Sequence, residues 1–470
     1  MEPEFTPLSN AVWAQRVAAA AALPDQRLNS RLSAIIADAL DSPFASIPQA
    51  TGGDAGQAKA TYRFYGNPRV TSAHLNQGTA LETAERCLEH EAILVVQDTT
   101  TLNFTGLQRI AELGPIDSGY FGRGMHVHST LAITVGGRVL GPLDQQCWAR
   151  SWRAGRPAGR TDHDKKESAK WLYGLEQARQ ALFEAAGERP LPRLIHVMDR
   201  EGDTYEVLMA IDDGGDSAII RSVQNRRVDG PLSTAHQAVR NQPIQAQATV
   251  PVNRQGRSPE RVATVEIRAL TATLLPDRSK YPHAWPMTWH LVEVWEPAPP
   301  AGVEPLHWVL WTRESIATPG DSLQVVEKYT GRWPIEEFHL VLKSGCQVEK
   351  LRLDTWERLE KAVRVNSAVA ARIVLLRDVA RVTPAAPALQ VLQAEEVAAL
   401  VNHFTKGKPW PAEQLTIGQA IQWIGRLGGH LNRKKDGMPG VRTLWRGLQA
   451  LTLLVAGFRA GFRAGQQLLE

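Results

Sequence analysis

Cysteine is scarce in this chain: three in 470 residues (Cys87, Cys147 and Cys346), with no paired spacing among them. That excludes a disulfide framework or a cysteine-based zinc site as an organising feature, and fits a reducing compartment. Long apolar runs are missing too. No stretch approaches the ~18 apolar residues of a membrane span. The opening Met1-Glu-Pro-Glu-Phe-Thr-Pro7 has neither the basic nor the apolar segment of an export signal. There is no internal repeat and no long low-complexity tract. Net charge is almost absent, +4 from 53 Lys+Arg against 49 Asp+Glu, so bulk charge alone does not mark a nucleic-acid binder. A soluble, intracellular protein is expected.

Charge is present locally instead. Val401 to Glu470 holds ten Lys/Arg and three acids, a net +7, which leaves −3 for the remainder. Asn225 to Lys280 holds nine Lys/Arg and four acids. Such stretches suit a binder of phosphate backbones, although solvated helix faces account for either one taken alone. The 43% hydrophobic content supplies core for two to four domains in a chain of this length.

The period of the apolar residues changes twice. Ala11–Leu23, Arg27–Leu40 and Ser72–His90 repeat at helical spacing, with a break at Gly52-Gly-Asp-Ala-Gly56. Next come short apolar runs: Ala92-Ile-Leu-Val-Val-Gln-Asp98, a hairpin from His126 to Trp148 turning at Gly136-Gly137, Leu194-Ile-His-Val-Met-Asp199 and Ser217–Arg221. A helix over Asp162–Ala186 separates two of them, giving β-β-β-α-β-α-β. Right-handed crossovers then favour strands one and four side by side, with Asp98 and Asp199 at one sheet edge. Strand patterns punctuated by Pro and Gly return over about 227–318, and helices resume from Asp321, with Thr383–Leu389 as a linker. The expected fold is α/β: a mixed five-stranded sheet with a β-rich insertion at 227–318, flanked by helical N-terminal and C-terminal domains. The divisions fall at 1–75, 76–370 and 371–470.

Two of those runs end on an acid, and a third acid sits in Tyr329-x2-Arg332-x3-Glu336-x6-Lys343. Three carboxylates on separate elements supply the hard oxygen ligands that hold Mg²⁺, or Mn²⁺ in its place, at a phosphodiester-cutting site. An acid interleaved with two cations and an aromatic suits a ligand that is both metal-bound and anionic, as DNA is. On one straight helix, residues 329, 332, 336 and 343 fall within an arc of roughly 60°. Pro334 offers an alternative in which the helix starts there and only Glu336 and Lys343 share its face. A structural ion-pair ladder is the plainer account of this segment, and capping of a turn is the plainer account of each Asp. His126 and His128 are read as strand or core residues, and Glu201 and Asp203 as helix-start or supporting acids. Among 14 tryptophans, any single one is first of all a core residue.

From Trp13 to the C-terminus the chain resembles the IS-four-family cut-and-paste DDE transposases of the Tn-five type. The matching stretches are Thr61-Tyr-Arg-Phe-Tyr-Gly-Asn-Pro68, Gln97-Asp-Thr-Thr100, Asp199-Arg-Glu-Gly-Asp-Thr-Tyr205, Tyr329–Lys343 and Arg426-Leu-Gly-Gly429. The resemblance implies a ribonuclease-H-like core and a metal-binding triad of Asp98, Asp199 and Glu336. It implies DNA-end contacts at Tyr329, Arg332 and Lys343. It also implies that Arg221 and Trp308 (21 residues before Tyr329) help hold a hairpinned end and its flipped base. The N-terminal unit is expected to recognise the inverted ends of double-stranded DNA, with Arg27, Arg31, Arg63 and Arg69 as contacts. The C-terminal helices are expected to pair two copies in a synaptic complex that joins the ends to target DNA. The leucine stripe Leu444, Leu448, Leu451 and Leu454 is a candidate dimer face, with intramolecular packing as the alternative. A glycosidase also pairs carboxylates but leaves Arg332 and Lys343 unexplained. A domesticated end-binding protein that no longer cuts is the remaining alternative.

Overall fold

The centre of the fold is the parallel pairing of the two apolar runs that end on an acid. The computed structural model describes residues 9–116, 121–151, 163–252, 260–408, 410–411, 414–433 and 436–467. The side chains of 163–168 and 462–467 are not described. Met1 to Leu8 and the Lys434-Lys435 pair of the basic C-terminal stretch also lie outside the described residues. Five helices come first: α1 (Asn10–Ala20), α2 (Gln26–Asp41), α3 (Ile47–Ala50), α4 (Ala55–Tyr65) and α5 (Ser72–Cys87). Then follow β1 (Ala92–Asn103), β2 (Gly114–Pro115), β3 (Arg123–Thr134), β4 (Val139–Trp148), α6 (His163–Ala186), β5 (Arg193–Met198), α7 (Tyr205–Gly214) and β6 (Ser217–Arg221). The next stretch holds α8 (Ala235–Arg240), β7 (Ala246–Val252), β8 (Arg261–Leu274), β9 (Met287–Trp295) and β10 (His307–Thr312). The remainder is helical: α9 (Pro319–Thr330), α10 (Pro334–Leu340), α11 (Trp356–Val382), α12 (Ala394–Thr405), α13 (Ile417–Leu427) and α14 (Val441–Gln467).

β1 and β5 pair in parallel with Val96 opposite Val197, while β3 pairs antiparallel to β1, and β4 to β3. The hairpin turns where expected, with Gly137 in the left-handed region at φ 87°. The sheet does not stop at five strands. β10 pairs antiparallel to β6, and β9, β8 and β7 follow outward, so the order β2-β3-β1-β5-β6-β10-β9-β8-β7 is one continuous sheet, with β4 also on β3. The β-rich insertion is therefore an extension of the core sheet. Unpaired backbone groups at the β6 edge explain this, because a following strand satisfies them at once.

Alternation along the strands gives the sheet two apolar faces. Leu94, Val96, Ile195, Val197 and Ile219 pack with α9, α10 and α11 on the first. Ile93, Val95, Leu194, Ala218 and Ile220 pack with α5, α6 and α7 on the second. The N-terminal helices share the first-face core: Trp13, Val17, Leu32 and Ile36 belong to it. The Lys361 ammonium of α11 donates to the carbonyls of Tyr65 and Asn67 at 3.1 Å. Positions 75 and 370, expected as domain limits, fall inside α5 and α11.

Three local expectations are corrected. The stretch after the break at Gly52-Gly, absent from the expected helices, is helix α4, started by Asp54, which accepts from Gly56 N at 2.7 Å and Gln57 N at 3.0 Å. The linker at Thr383–Leu389 is anchored: Ala388 N donates to Leu415 O at 2.7 Å and Ala388 is fully buried. The α14 stripe faces inward, with Leu444 and Leu451 buried and Leu448 and Leu454 packed against the same helical core. Close approach of α13 and α14 draws it there. A Cβ on Gly428 would sit 1.9 Å from Thr443 O, and one on Gly447 1.8 Å from Ile424 O. Leu451→Ala is therefore expected to cost about 2–5 kcal/mol of stability in chemical denaturation. Weakened self-association at unchanged stability would restore the stripe as a dimer face.

Candidate active site

Asp98 lies two residues past Val96 on β1, and Asp199 two residues past Val197 beyond β5, so the parallel register brings the two acids level. Both continue the side-chain positions that point to the first face, where α10 lies. Glu336 is in the first turn of α10, a helix whose first residue is Pro334. The straight helix through 329–343 is thus not formed; α9 ends at Thr330, a turn over 331–333 follows, and the alternative start at Pro334 is the one adopted. Beyond α10 the ladder widens to a π turn over Val341–Gly345, closed by Cys346 N donating to Val341 O at 2.7 Å. Lys343 lies in this turn, half-buried.

Arg332 joins the third acid to the first. Its guanidinium is 3.7 Å from Asp98 Oδ2 and donates to Glu336 Oε1 at 3.2 Å. Asp199 points its carboxylate at the backbone N–H of Glu201, 2.9 Å away. Among the described residues no three His, Cys, Asp or Glu side chains are close enough to hold a metal ion. The three acids share an edge but do not converge on one point.

Their charges nevertheless act on each other. Burial first, then the negative charges of Glu336 and Asp199, push the Asp98 carboxyl up to about 7, with Arg332 opposing. Burial would lower the Arg332 pKa, but Asp98, Tyr329 and Glu336 more than offset this and hold it above the ordinary value. His339, one helical turn after Glu336, has Nδ1 3.8 Å from Asp98 Oδ2 and Nε2 3.2 Å from Ser129 Oγ. Burial, together with Lys343 and Arg332, lowers its pKa to about 3, so it is neutral.

The aromatic and basic residues named from the resemblance gather beside this edge. Tyr329 is buried, its ring edge-on to half-buried Trp308 with centroids 5.0 Å apart. Arg221 is hydrogen-bonded to Tyr329 and donates to His307 O at 3.4 Å. The β6–β10 pairing sets this cluster, since Leu310 opposite Arg221 places Trp308 at the same end of the sheet. Lys343 is near enough for its charge to act on His339. Arg27, Arg31, Arg63 and Arg69 lie apart from the edge, on α2, α4 and the following turn. Arg27, Arg63 and Arg69 are exposed, Arg31 donates to Gln57 Oε1, and Arg69 is 3.7 Å from Asp25.

His126 and His128 are strand residues as expected, bonded to Thr101 and to Thr99 and Gln97. Sequence inspection missed His339, although a spacing of three from Glu336 on a helix was a usable signal. It also missed Lys170, which is buried against Trp148 and Trp171 and is 3.5 Å from Glu201.

Residues 10–70 match the family described as Transposase DNA-binding, and residues 368–465 the one described as Transposase Tn5 dimerisation domain. These two matches, one near each end of the chain, support a Tn5-type transposase. Between the two matched segments, the chain carries the sheet and the acidic edge. A piggyBac transposase, solved as a synaptic complex with hairpin DNA, superimposes at TM-score 0.35 with 10% identity over 91% of this chain and 73% of that one, too loosely to carry an argument. Among the described residues no helix is long and apolar enough to cross a membrane.

Proposed function

We propose that this protein cuts DNA at the inverted ends of a mobile element and joins them to target DNA, using the edge formed by Asp98, Asp199 and Glu336. The observation that carries this is the register of β1 and β5, which sets two acids level while Arg332 ties the third to the first of them, Asp98. The donor set suits Mg²⁺ or Mn²⁺: all three groups are hard oxygens, and the Asp98 carboxyl, raised first by burial and then by the charges of Glu336 and Asp199, would be favoured in its ionised form by a bound cation. Held by these three carboxylates, such ions would make water a nucleophile at neutral pH and stabilise the leaving oxygen.

The chain's own residues bind and orient. Arg332, shared between Asp98 and Glu336, is in reach of a phosphate entering the edge. Arg221 and Tyr329 hold an adjoining phosphate, and Trp308 offers a flat surface to an unstacked base, a contact worth roughly 1–3 kcal/mol. Neutral His339, packed between Ser129 and Asp98, fixes the Asp98 carboxylate. The four N-terminal arginines contact the end, and the C-terminal segment pairs two copies. The hairpin route, in which the freed 3′-hydroxyl attacks the opposite strand and water reopens the product, is what the family resemblance implies.

The test is cleavage of supercoiled plasmid carrying the element's two ends, with and without Mg²⁺, wild type beside Glu336→Ala. Metal-dependent excision lost in the variant, with end binding retained, is expected. End-labelled duplex should pass through a hairpin. A Glu336→Ala protein that still cuts would show the wrong acid, and end binding without cutting under any metal would make the chain a non-catalytic end binder.

A further inference from the structure

On the second face of the sheet, beside α7, lies a groove of about 1120 Å³ that the chemistry above does not use. Arg226, Arg227, Arg278 and Lys280 line it, together with Tyr205 and Tyr281, whose rings stack with centroids 5.3 Å apart. Three acids share the lining, and each is engaged. Asp203 accepts from Val223 N and Gln224 N at 2.7 Å, and from Arg226. Asp277 accepts from Ser279 Oγ at 2.5 Å and is 3.8 Å from Lys280. Glu206 is hydrogen-bonded to Tyr281. Arg227 and Arg278 are exposed, and among the described residues neither has an acid within ion-pair distance. Unpaired cations beside stacked aromatics form a surface complementary to a sugar–phosphate strand.

Position says which strand. The groove begins at Asp203, four residues past Asp199, on the face opposite Tyr329, Arg332 and Glu336. Joining brings two DNA molecules to one set of carboxylates, and they cannot occupy the same approach. The end contacts take the first face, which leaves the second for the other duplex. We propose that this groove binds the backbone of target DNA during joining, an inference that rests on the transposase function proposed above.

The experiment uses full-length protein in two assays: cutting of a labelled duplex carrying the element's own end, and joining of a pre-cut end to plasmid. Arg227→Glu combined with Arg278→Glu is expected to lower joining by about tenfold or more while cutting stays within about twofold. The single Ala variants, which alter only exposed side chains, should each reduce the salt dependence of joining by about one phosphate contact. Cutting and joining falling together would assign the groove to DNA flanking the end and overturn the target assignment. Unchanged joining and salt dependence would remove the groove from DNA binding. Wild-type protein that binds the end but neither cuts nor joins would overturn the transposase function and this inference with it, whereas failure confined to the variants falls on the groove alone.

Discussion

Asp98→Asn should melt at a higher temperature than wild type in metal-free buffer at pH 7.5, while its DNA cutting falls by on the order of 10³-fold or more. Both effects have one cause. The Asp98 carboxyl is held at about 7 by burial and by its acidic neighbours, against 3.8 ordinarily. A folded-state pKa above the unfolded one means that the native protein holds a proton the unfolded chain releases. The associated stability is intact below about pH 4, is lost as pH rises to about 7, and changes little beyond. At about 1.4 kcal/mol per unit the upper bound is about 4 kcal/mol. Asparagine cannot ionise, so the slope between pH 4 and 7 should flatten, less what is forfeited to Arg332. Saturating Mg²⁺ should reverse the order, because it stabilises only the protein that still binds it. Thermal melts at pH 4 and 7.5, with and without Mg²⁺, decide the matter. A variant less stable than wild type at pH 7.5 without metal would refute the account.

Glu314→Ala is expected to destabilise the sheet by about 1–3 kcal/mol, the usual cost of leaving buried donors without their acceptor: Lys328 and Ser217 lose theirs, while the exposed Arg193 is solvated by water. Glu314 follows β10, is 7% exposed, bonds Lys328 of α9 and Arg193 of β5, and accepts from Ser217 Oγ at 2.5 Å. Burial would raise its pKa, yet Arg193, Lys328 and Ser217 outweigh burial and bring it down to about 2. The sign is opposite to that of Asp98. Here the contribution is present above about pH 4.5 and is lost as pH falls towards 2. Tyr329 is the residue after Lys328, so α9 should loosen just where the end contact stands. Hydrogen exchange should show β6 and α9 opening together in the variant. Protection unchanged in both elements would count against this linkage.

Much of this was legible because the informative signals are local. A run of β-branched residues ending on Asp98, and another on Asp199, show strand, termination and acid within seven residues, and crossover handedness then fixes which strands adjoin. Pro334 likewise announces a helix start. What could not be read depends on partners far away in sequence. Nothing near Ser217 says that β6 will accept β10 some ninety residues on, so the insertion looked separate. The Leu444–Leu454 stripe has the same spacing whether it meets α13 or a second copy. Only the contacts at Gly428 and Gly447 settle which. The failure of the three carboxylates to converge was equally hidden, because it turns on where Arg332 and the Asp199 side chain point.

The continuous sheet also constrains how the protein is made. Strands far apart in sequence close slowly, and a nascent chain folds in order of emergence. β6 must wait for β10 at residue 307, and Glu336 comes later still. The hairpin edge is sealed last: Val139 N donates to Asp378 Oδ2 at 3.1 Å, and Gln145 Nε2 to Ser367 Oγ at 2.7 Å. The first-face core beneath the N-terminal helices is completed by the same helix, α11. On the ribosome, neither the acidic edge nor the seat of the N-terminal unit can be finished until about four-fifths of the chain has been synthesised, so a product interrupted earlier lacks both together.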